Sequence, residues 1–256
     1  MNFEEGFDFR NFYAERDKFY WEEVEALKRD YNIPLETILK NYMAFIQRRD
    51  LPQLLAYYDL LKQVKDLPGS IVEVGVFMGN GLFTWSKLIE TFFPGNRGKK
   101  VFGFDNFNGY EQEILDCDVK AVEYIKNLVG DFKIDYSFVH KLEKLHNLDS
   151  MIPGVERVKI YNGNFDTTFE NFKKENYGVR LKILVVDVNL YLPTKNALDS
   201  FYDLLVPGGV IVLRGYGVKP WEGESKAVDE FMELKGINKM HSFDFSMYPA
   251  LYLIKE

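Results

Sequence analysis

The sequence predicts an α/β protein: a mostly parallel sheet with helices on both faces, preceded by a helical N-terminal cap. Three observations predict it. Short, continuously apolar runs such as residues 71–76 and LKILVVD at 181–187 alternate with helix-patterned stretches, as strands covered on both faces do. Two strand-like runs in the tail, near 239–244 and 251–254, have no helix between them, which implies an antiparallel hairpin at one sheet edge. The first 66 residues carry helical spacing only.

The elements follow in order. Phe12, Phe19, Tyr20, Val24 and Leu27 share one helix face, and Asn32-Ile33-Pro34 ends that helix. Pro34 suits the first turn of a second helix through about Arg49, and a third runs from Leu51 to about Lys65, before Pro68-Gly69. Residues 1–66 are thus read as a cap and 67–256 as the main domain. A first strand at 71–76 leads through glycines into a helix at 82–92; VFGFD at 101–105 is the second strand. A polar, helix-prone insertion occupies about 111–150 and carries His140 and His146. A third strand (158–161) and a helix (167–175) precede the fourth strand, 181–187, which ends in Asp187. A helix at 194–205, an apolar strand at 209–213 and a helix at 223–234 complete the alternation.

Composition narrows the function. With 46% apolar and 28% charged residues, the chain reads as a soluble globular protein rather than a disordered or fibrous one. A net charge of −7 argues against nucleic acid as partner, because neutralising phosphates needs clustered Lys and Arg. The single cysteine, Cys117, excludes an internal disulfide and a cysteine-rich zinc site. No apolar run approaches the roughly 18 residues of a membrane span, and the acidic start is unlike a secretory signal, so a cytoplasmic protein is expected.

In an open parallel sheet, ligands sit at the carboxyl ends of the strands. The first strand ends Glu73-Val74-Gly75-Val76-Phe77-Met78-Gly79-Asn80-Gly81, where Gly75, Gly79 and Gly81 let the backbone turn tightly before a helix N-terminus. The spacing is neither GxGxxG nor a phosphate-binding loop. Asp105, ending the second strand, can accept both hydroxyls of a ribose, or simply cap the next turn. Together they favour a nucleoside-containing ligand, with NAD and S-adenosylmethionine both open. After the third strand, Asn164 and Phe165 are placed to meet a purine edge and face; alternatively Asn-Gly is a plain turn and Asp166 a helix cap.

The ordered segments EVGVFMG (73–79), GFDNFNG (103–109), GNFDTT (163–168), DVNLY (187–191) with Thr194, PGGVI (207–211) and WEGE (221–224) with AVDEF (227–231) are similar to the macrocin O-methyltransferase family of class I S-adenosylmethionine-dependent methyltransferases. The resemblance spans about 69–231. It implies a Rossmann-like, seven-stranded sheet with an antiparallel last strand, S-adenosylmethionine as cofactor, a sugar or sugar-bearing small molecule as acceptor, and, with the aromatic N-terminal helices, a homo-oligomer. It further implies that Glu73, Gly75, Gly79 and Gly81 cradle the methionine part, that Asp105 holds the ribose, and that Asn164, where the family has Asp, and Phe165 flank adenine.

The same resemblance implies a divalent cation held by acids after the fourth and fifth strands, with the second acid of Asp-x-Asp-Leu-Tyr as base. Here Asp187 is kept, but the second acid is Asn189 and the fifth-strand acids fall at Arg214 and Gly215. An amide accepts no proton near neutral pH, and magnesium seeks an all-oxygen, carboxylate-rich cage. No metal ligands are therefore assigned. Asp187, Asn189 and Arg214 are read as the catalytic group, with Arg214 pairing with Asp187 or with an anion on the substrate and supplying the charge the metal supplies elsewhere. His140, His146, His241 and Asp187 are the alternative bases. Tyr191, Tyr216, Trp221 and Glu224 are read as acceptor contacts, with packing and helix-dipole roles as their competitors. Two non-catalytic readings accompany the enzyme: a retired S-adenosylmethionine-binding partner of an active homologue, and a binder of a glycan or nucleotide-sugar.

Overall fold

The computed structural model describes residues 9–109, 114–129, 134–249 and 251–256, with side chains described from residue 16 and not at 128–129. The chain divides into two compact units, 1–51 and 52–256.

In the first unit, α1 (Phe9–Asp30) is followed by α2 (Leu35–Lys40) and two 3-10 turns, Tyr42–Ala44 and Arg48–Asp50. The second helix is shorter than its expected end near Arg49. Asn41 leaves helical geometry (φ −117°, ψ 29°) and its side chain donates to the Thr37 carbonyl at 2.8 Å, closing the helix. Pro34 stands one position before the first turn, as the N-cap. The Tyr20 hydroxyl donates to the Phe45 and Ile46 carbonyls, and Arg49 pairs with Asp17, tying the turns back to α1.

The second unit begins within α3 (Leu51–Gln63). Then follow β1 (Ser70–Val74), α4 (Asn80–Phe92), β2 (Val101–Asp105), α5 (Val119–Val129), α6 (Tyr136–Leu148), β3 (Val158–Asn162) and α7 (Phe165–Glu175). The chain ends with β4 (Leu181–Val186), α8 (Tyr191–Phe201), β5 (Leu205–Leu213), α9 (Glu222–Lys235), β6 (His241–Ser242) and β7 (Leu251–Ile254). The sheet has seven strands in the order β3-β2-β1-β4-β5-β7-β6. Strands β1 to β5 pair parallel; β7 runs antiparallel to both β5 and β6, the expected edge hairpin.

Strand order reverses at β1, where chain leaving β1 goes to β2 on one side and β4 lies on the other. That switch point opens a crevice at the carboxyl edge. Alternation along the strands sends Ile71, Ile183, Val185, Val210 and Val212 to one face, against Tyr57, Leu60, Leu82, Trp85 and Ile89 of α3 and α4. Val72, Val74, Leu184, Val186, Ile211 and Leu213 face the other way, against Phe172, Ala197, Phe201 and Val228. By this packing α3, expected as part of the cap, belongs with the sheet. No described helix is long and apolar enough to cross a membrane.

Candidate active site

The turn after β1 is built by its glycines. Gly75 has φ +93°, and a side chain there would meet the Asp187 carbonyl, so the turn lies directly on the β4–α8 loop. A Cβ on Gly81 would lie 2.6 Å from both carboxylate oxygens of Glu73, which therefore rest against the first turn of α4. Glu73 is buried, its Oε2 has no hydrogen-bond partner, and burial drives its carboxyl well above the usual range. Phe77 and Met78, flanking the turn, are exposed.

Asp105 locks this turn to the next one. Its Oδ2 accepts the Val76 and Phe77 N–H groups and its Oδ1 accepts that of Phe107, all at 2.8 Å. A carboxylate offers about four acceptor positions, so one remains for a ribose hydroxyl rather than the two expected. Beside it lies a cavity of about 500 Å³ lined by residues from the ends of β2 and β3 and the start of α6, among them Phe107, Tyr136, Asn162 and Gly163. Phe107 and Tyr136 form its aromatic wall, with ring centroids 5.4 Å apart. Tyr136 stacks on His140, whose Nδ1 lies 2.8 Å from Glu143 Oε2, and Glu143 Oε1 accepts the Ile160 N–H of β3.

Two expected adenine contacts are placed differently. Asn164, not Asp166, is the N-cap of α7: its Oδ1 accepts the N–H groups of Asp166 and Thr167, leaving the amide nitrogen as the free group. Phe165 packs with Phe104, Phe169 and Phe201 in the cluster on the opposite sheet face and does not line the cavity. The aromatic wall comes instead from Phe107 and from Tyr136 of the insertion, which no local pattern around Asn164 discloses.

The second centre sits after β4 and β5. Asp187 N–H donates to the Val74 carbonyl and Arg214 N–H to that of Val186, so both residues stand at the carboxyl edge beside the glycine turn. Arg214 Nε lies 3.2 Å from Asp187 Oδ2, an ion pair in which the N–H is not aligned on the carboxylate. Burial pushes the Asp187 carboxyl up and the guanidinium pulls it back, while Asp187 holds the Arg214 cation more firmly charged. The Arg214 guanidinium also faces the Tyr248 ring at 5.9 Å. Tyr57 of α3 is wholly buried, stacks on Trp85 at 4.1 Å and sets its hydroxyl beside Arg214. Asn189 holds a left-handed conformation (φ 61°), which Asn tolerates better than most residues.

Of the residues expected to touch an acceptor, Glu224 is wholly buried, and its Oε1 accepts the Gly215 N–H at 2.8 Å. Burial raises its pKa to about 8. It is a buried prop under the Arg214–Gly215 turn, out of reach of a sugar hydroxyl. Trp221 is likewise buried, against Ala121, Val122 and Leu190. Its ring packs T-shaped with Tyr124, and at 8% exposure it leaves little indole surface for an acceptor. Tyr191 and Tyr216 donate their hydroxyls to Glu230 and Asp229 of α9, beside an open cleft of about 470 Å³ lined by Lys219, Glu222, Ser225 and Lys226 among others. Asp118, unnoticed in the sequence, accepts the Tyr191 N–H and packs on Gly223, joining the insertion to α8 and α9.

The donor set decides what this edge can hold. Glycines that admit no side chain, an acid between two turns and an aromatic cavity fit S-adenosylmethionine. A divalent cation does not fit: among the described residues no three His, Cys, Asp or Glu side chains converge as ligands, and a guanidinium stands against Asp187.

The family model described as Macrocin-O-methyltransferase (TylF) matches residues 35–247. No curated protein matches the chain. Among solved structures, CalS11, a calicheamicin methyltransferase, superposes with a TM-score of 0.82 at 24% identity over 99% of each chain. Apo CalS11, described as a TDP-rhamnose 3'-O-methyltransferase, gives 0.75 at 23% identity, covering 93% of this chain and 94% of its own. The O-methyltransferase NovP gives 0.62 at 21% identity over 79% of each chain. At these identities the structures establish the fold, and the family model, matched over most of the chain, establishes the rest: the protein belongs to the macrocin O-methyltransferase family and is an S-adenosylmethionine-dependent methyltransferase.

Proposed function

We propose that the enzyme methylates a hydroxyl of a deoxysugar carried on a nucleotide or on a glycosylated metabolite. The observation that carries this reading is the pairing of a nucleoside-sized cavity beside Asp105 with the Asp187–Arg214 centre one strand away, in a chain whose fold matches a TDP-rhamnose methyltransferase over nearly its full length. S-adenosylmethionine supplies a methyl group already activated by the sulfonium, so the protein's main task is alignment.

Glu73 and the glycine turn face the methionine end, and Asp105 holds one ribose hydroxyl. Phe107 and Tyr136 would cover the adenine, and the Asn164 amide nitrogen would donate to the purine edge. With the methyl donor bound, Asp187 would take the proton of the acceptor hydroxyl and release it to water. Asn189 orients the acceptor by hydrogen bonding and takes no proton. Arg214 offsets the burial that pushes the Asp187 carboxyl up and holds it in place as an ion pair. The three histidines pack elsewhere: His140 against Tyr136 and Glu143, His146 on Phe83, and His241 on Tyr252. Tyr191 and Tyr216, on the α9 cleft, fit the far end of the acceptor. The exposed Phe19, Tyr31, Leu35 and Leu39 of the first unit fit assembly of copies of this chain, and a single free cysteine fits a reducing, cytoplasmic setting.

The test is calorimetric titration with S-adenosylhomocysteine, followed by a methyl-transfer assay on TDP-deoxyhexoses. Micromolar binding with transfer to a sugar hydroxyl supports the proposal; binding without transfer to any sugar acceptor overturns the substrate class.

A further inference from the structure

Helix α6 carries one stripe of side chains that runs from the cavity beside Asp105 to the free edge of the sheet. Tyr136, His140, Glu143 and Asn147 follow at spacings of four, three and four, so they lie above one another on a single helix face. Strand β3 is the outermost strand on this side, and its outward backbone groups have no neighbouring strand to pair with. The far half of the stripe supplies the partners. The Asn147 side chain accepts the Val158 N–H and donates to the Val158 carbonyl, each at 2.8 Å, and Glu143 Oε1 accepts the Ile160 N–H at 3.0 Å. These bonds fix the height of α6 along β3, whose end supplies Asn162 to the cavity.

Glu143 is 8% exposed and gives its other oxygen, Oε2, to His140 Nδ1 at 2.8 Å. A carboxylate only accepts, so Nδ1 carries the hydrogen whether the ring is neutral or charged. The His140 ring stacks on Tyr136, with centroids 5.5 Å apart and planes 24° from parallel. Tyr136 is the first residue of α6, where a helix frays most readily, and it forms the cavity's aromatic wall with Phe107. A wall in that place needs a brace, and the stripe provides one.

We propose that His140 and Glu143 are positioning residues for the methyl donor: Glu143, seated on the edge strand, holds His140, and His140 holds the Tyr136 ring in the orientation that meets the adenine. Neither residue lines the cavity, so both act through Tyr136. The His140 side chain is 41% exposed, so its loss leaves the core intact. The inference rests on the reading of this cavity as the adenine site.

The experiment titrates S-adenosylhomocysteine and 5′-methylthioadenosine, which lacks the amino-acid end, by calorimetry, with the melting temperature of each protein measured in parallel. His140→Ala should weaken both probes about fivefold, the worth of one aromatic contact, and melt near wild type. Tyr136→Ala/His140→Ala should bind no more weakly than Tyr136→Ala alone, because His140 acts only through that ring. Glu143→Ala should lose about as much affinity as His140→Ala, and Glu143→Gln, which keeps an oxygen for the Ile160 N–H and a polar group for Nδ1, should restore it. Asn147→Ala cuts α6 from β3 without touching His140, so it should melt lower and keep its affinity. Full affinity in His140→Ala beside a weakened Tyr136→Ala overturns the brace and leaves the adenine reading standing. Additive losses in the double variant, or an affinity loss in Asn147→Ala equal to that in Glu143→Ala, overturn it as well. Wild-type affinity in Tyr136→Ala removes the adenine reading and this inference with it. The His140 and double variants decide the matter even where Glu143→Ala does not fold.

Discussion

Replacing Glu224 with glutamine isolates the effect of burying an acid at this centre. Glu224 is wholly buried, accepts the Gly215 N–H through Oε1 and has an unpartnered Oε2. Desolvation, reinforced by Asp187, raises its pKa from 4.5 to about 8. The folded protein therefore binds this proton more tightly than the unfolded chain does. Stability from this group is fully present below about pH 4.5 and is lost as pH rises toward 8. At 1.36 kcal/mol per pH unit, that interval corresponds to about 5 kcal/mol. Glutamine keeps an oxygen for the Gly215 N–H and carries no charge to desolvate. Its amide nitrogen inherits a position without a partner, a cost of about 1–2 kcal/mol. At pH 8 Glu224→Gln should thus be more stable than wild type by about 3 kcal/mol, with little difference at pH 5. Urea denaturation of both proteins from pH 5 to pH 8 measures this directly. Parallel stability curves, or a variant weaker than wild type at pH 8, would refute the view that Glu224 is a buried, protonated prop.

Three further outcomes are expected. Asp105→Ala removes the acceptor of three N–H groups from two turns and should weaken S-adenosylhomocysteine binding by about 2–4 kcal/mol in calorimetry; unchanged affinity would detach Asp105 from the cofactor. Tyr136→Ala should cost roughly tenfold in that affinity with little loss of melting temperature, whereas Phe165→Ala should destabilise the fold by about 3 kcal/mol. The reverse pattern would return adenine to Phe165. Tyr57→Phe keeps the stack on Trp85 and removes only the hydroxyl beside Arg214, so kcat should fall about tenfold with KM for the cofactor unchanged.

The strand and helix sequence was legible because each element carries its own pattern. Leu181–Val186 reads as a strand buried on both faces, and it is one. The glycines at 75, 79 and 81 mark a turn whose backbone lies against Asp187 and Glu73, where a side chain has no room. The substitution of Arg214 for an expected acid was visible as a letter, and its pairing with Asp187 follows from adjacent parallel strands. The second helix was overextended because residues 41–49 keep helical spacing while Asn41 closes the helix through its own side chain. Glu224 and Trp221 were misjudged because a carboxylate and an indole have the same identity whether they face a cleft or a core.

By itself the sequence determined the α/β alternation, the edge hairpin, the turn after the first strand and the acids and arginine at strand ends. These depend on local periodicity, on glycine's freedom at positive φ and on the rule that parallel strands bring their ends to one edge. Only the tertiary structure decided which side chains share that edge. Tyr57 reaches Arg214 from 157 residues away in sequence, and Tyr136 meets Phe107 across the insertion. Such encounters, and the burial that sets the ionisation of Glu73 and Glu224, arise from the packing of helices on the sheet, a long-range property that no window of the sequence contains.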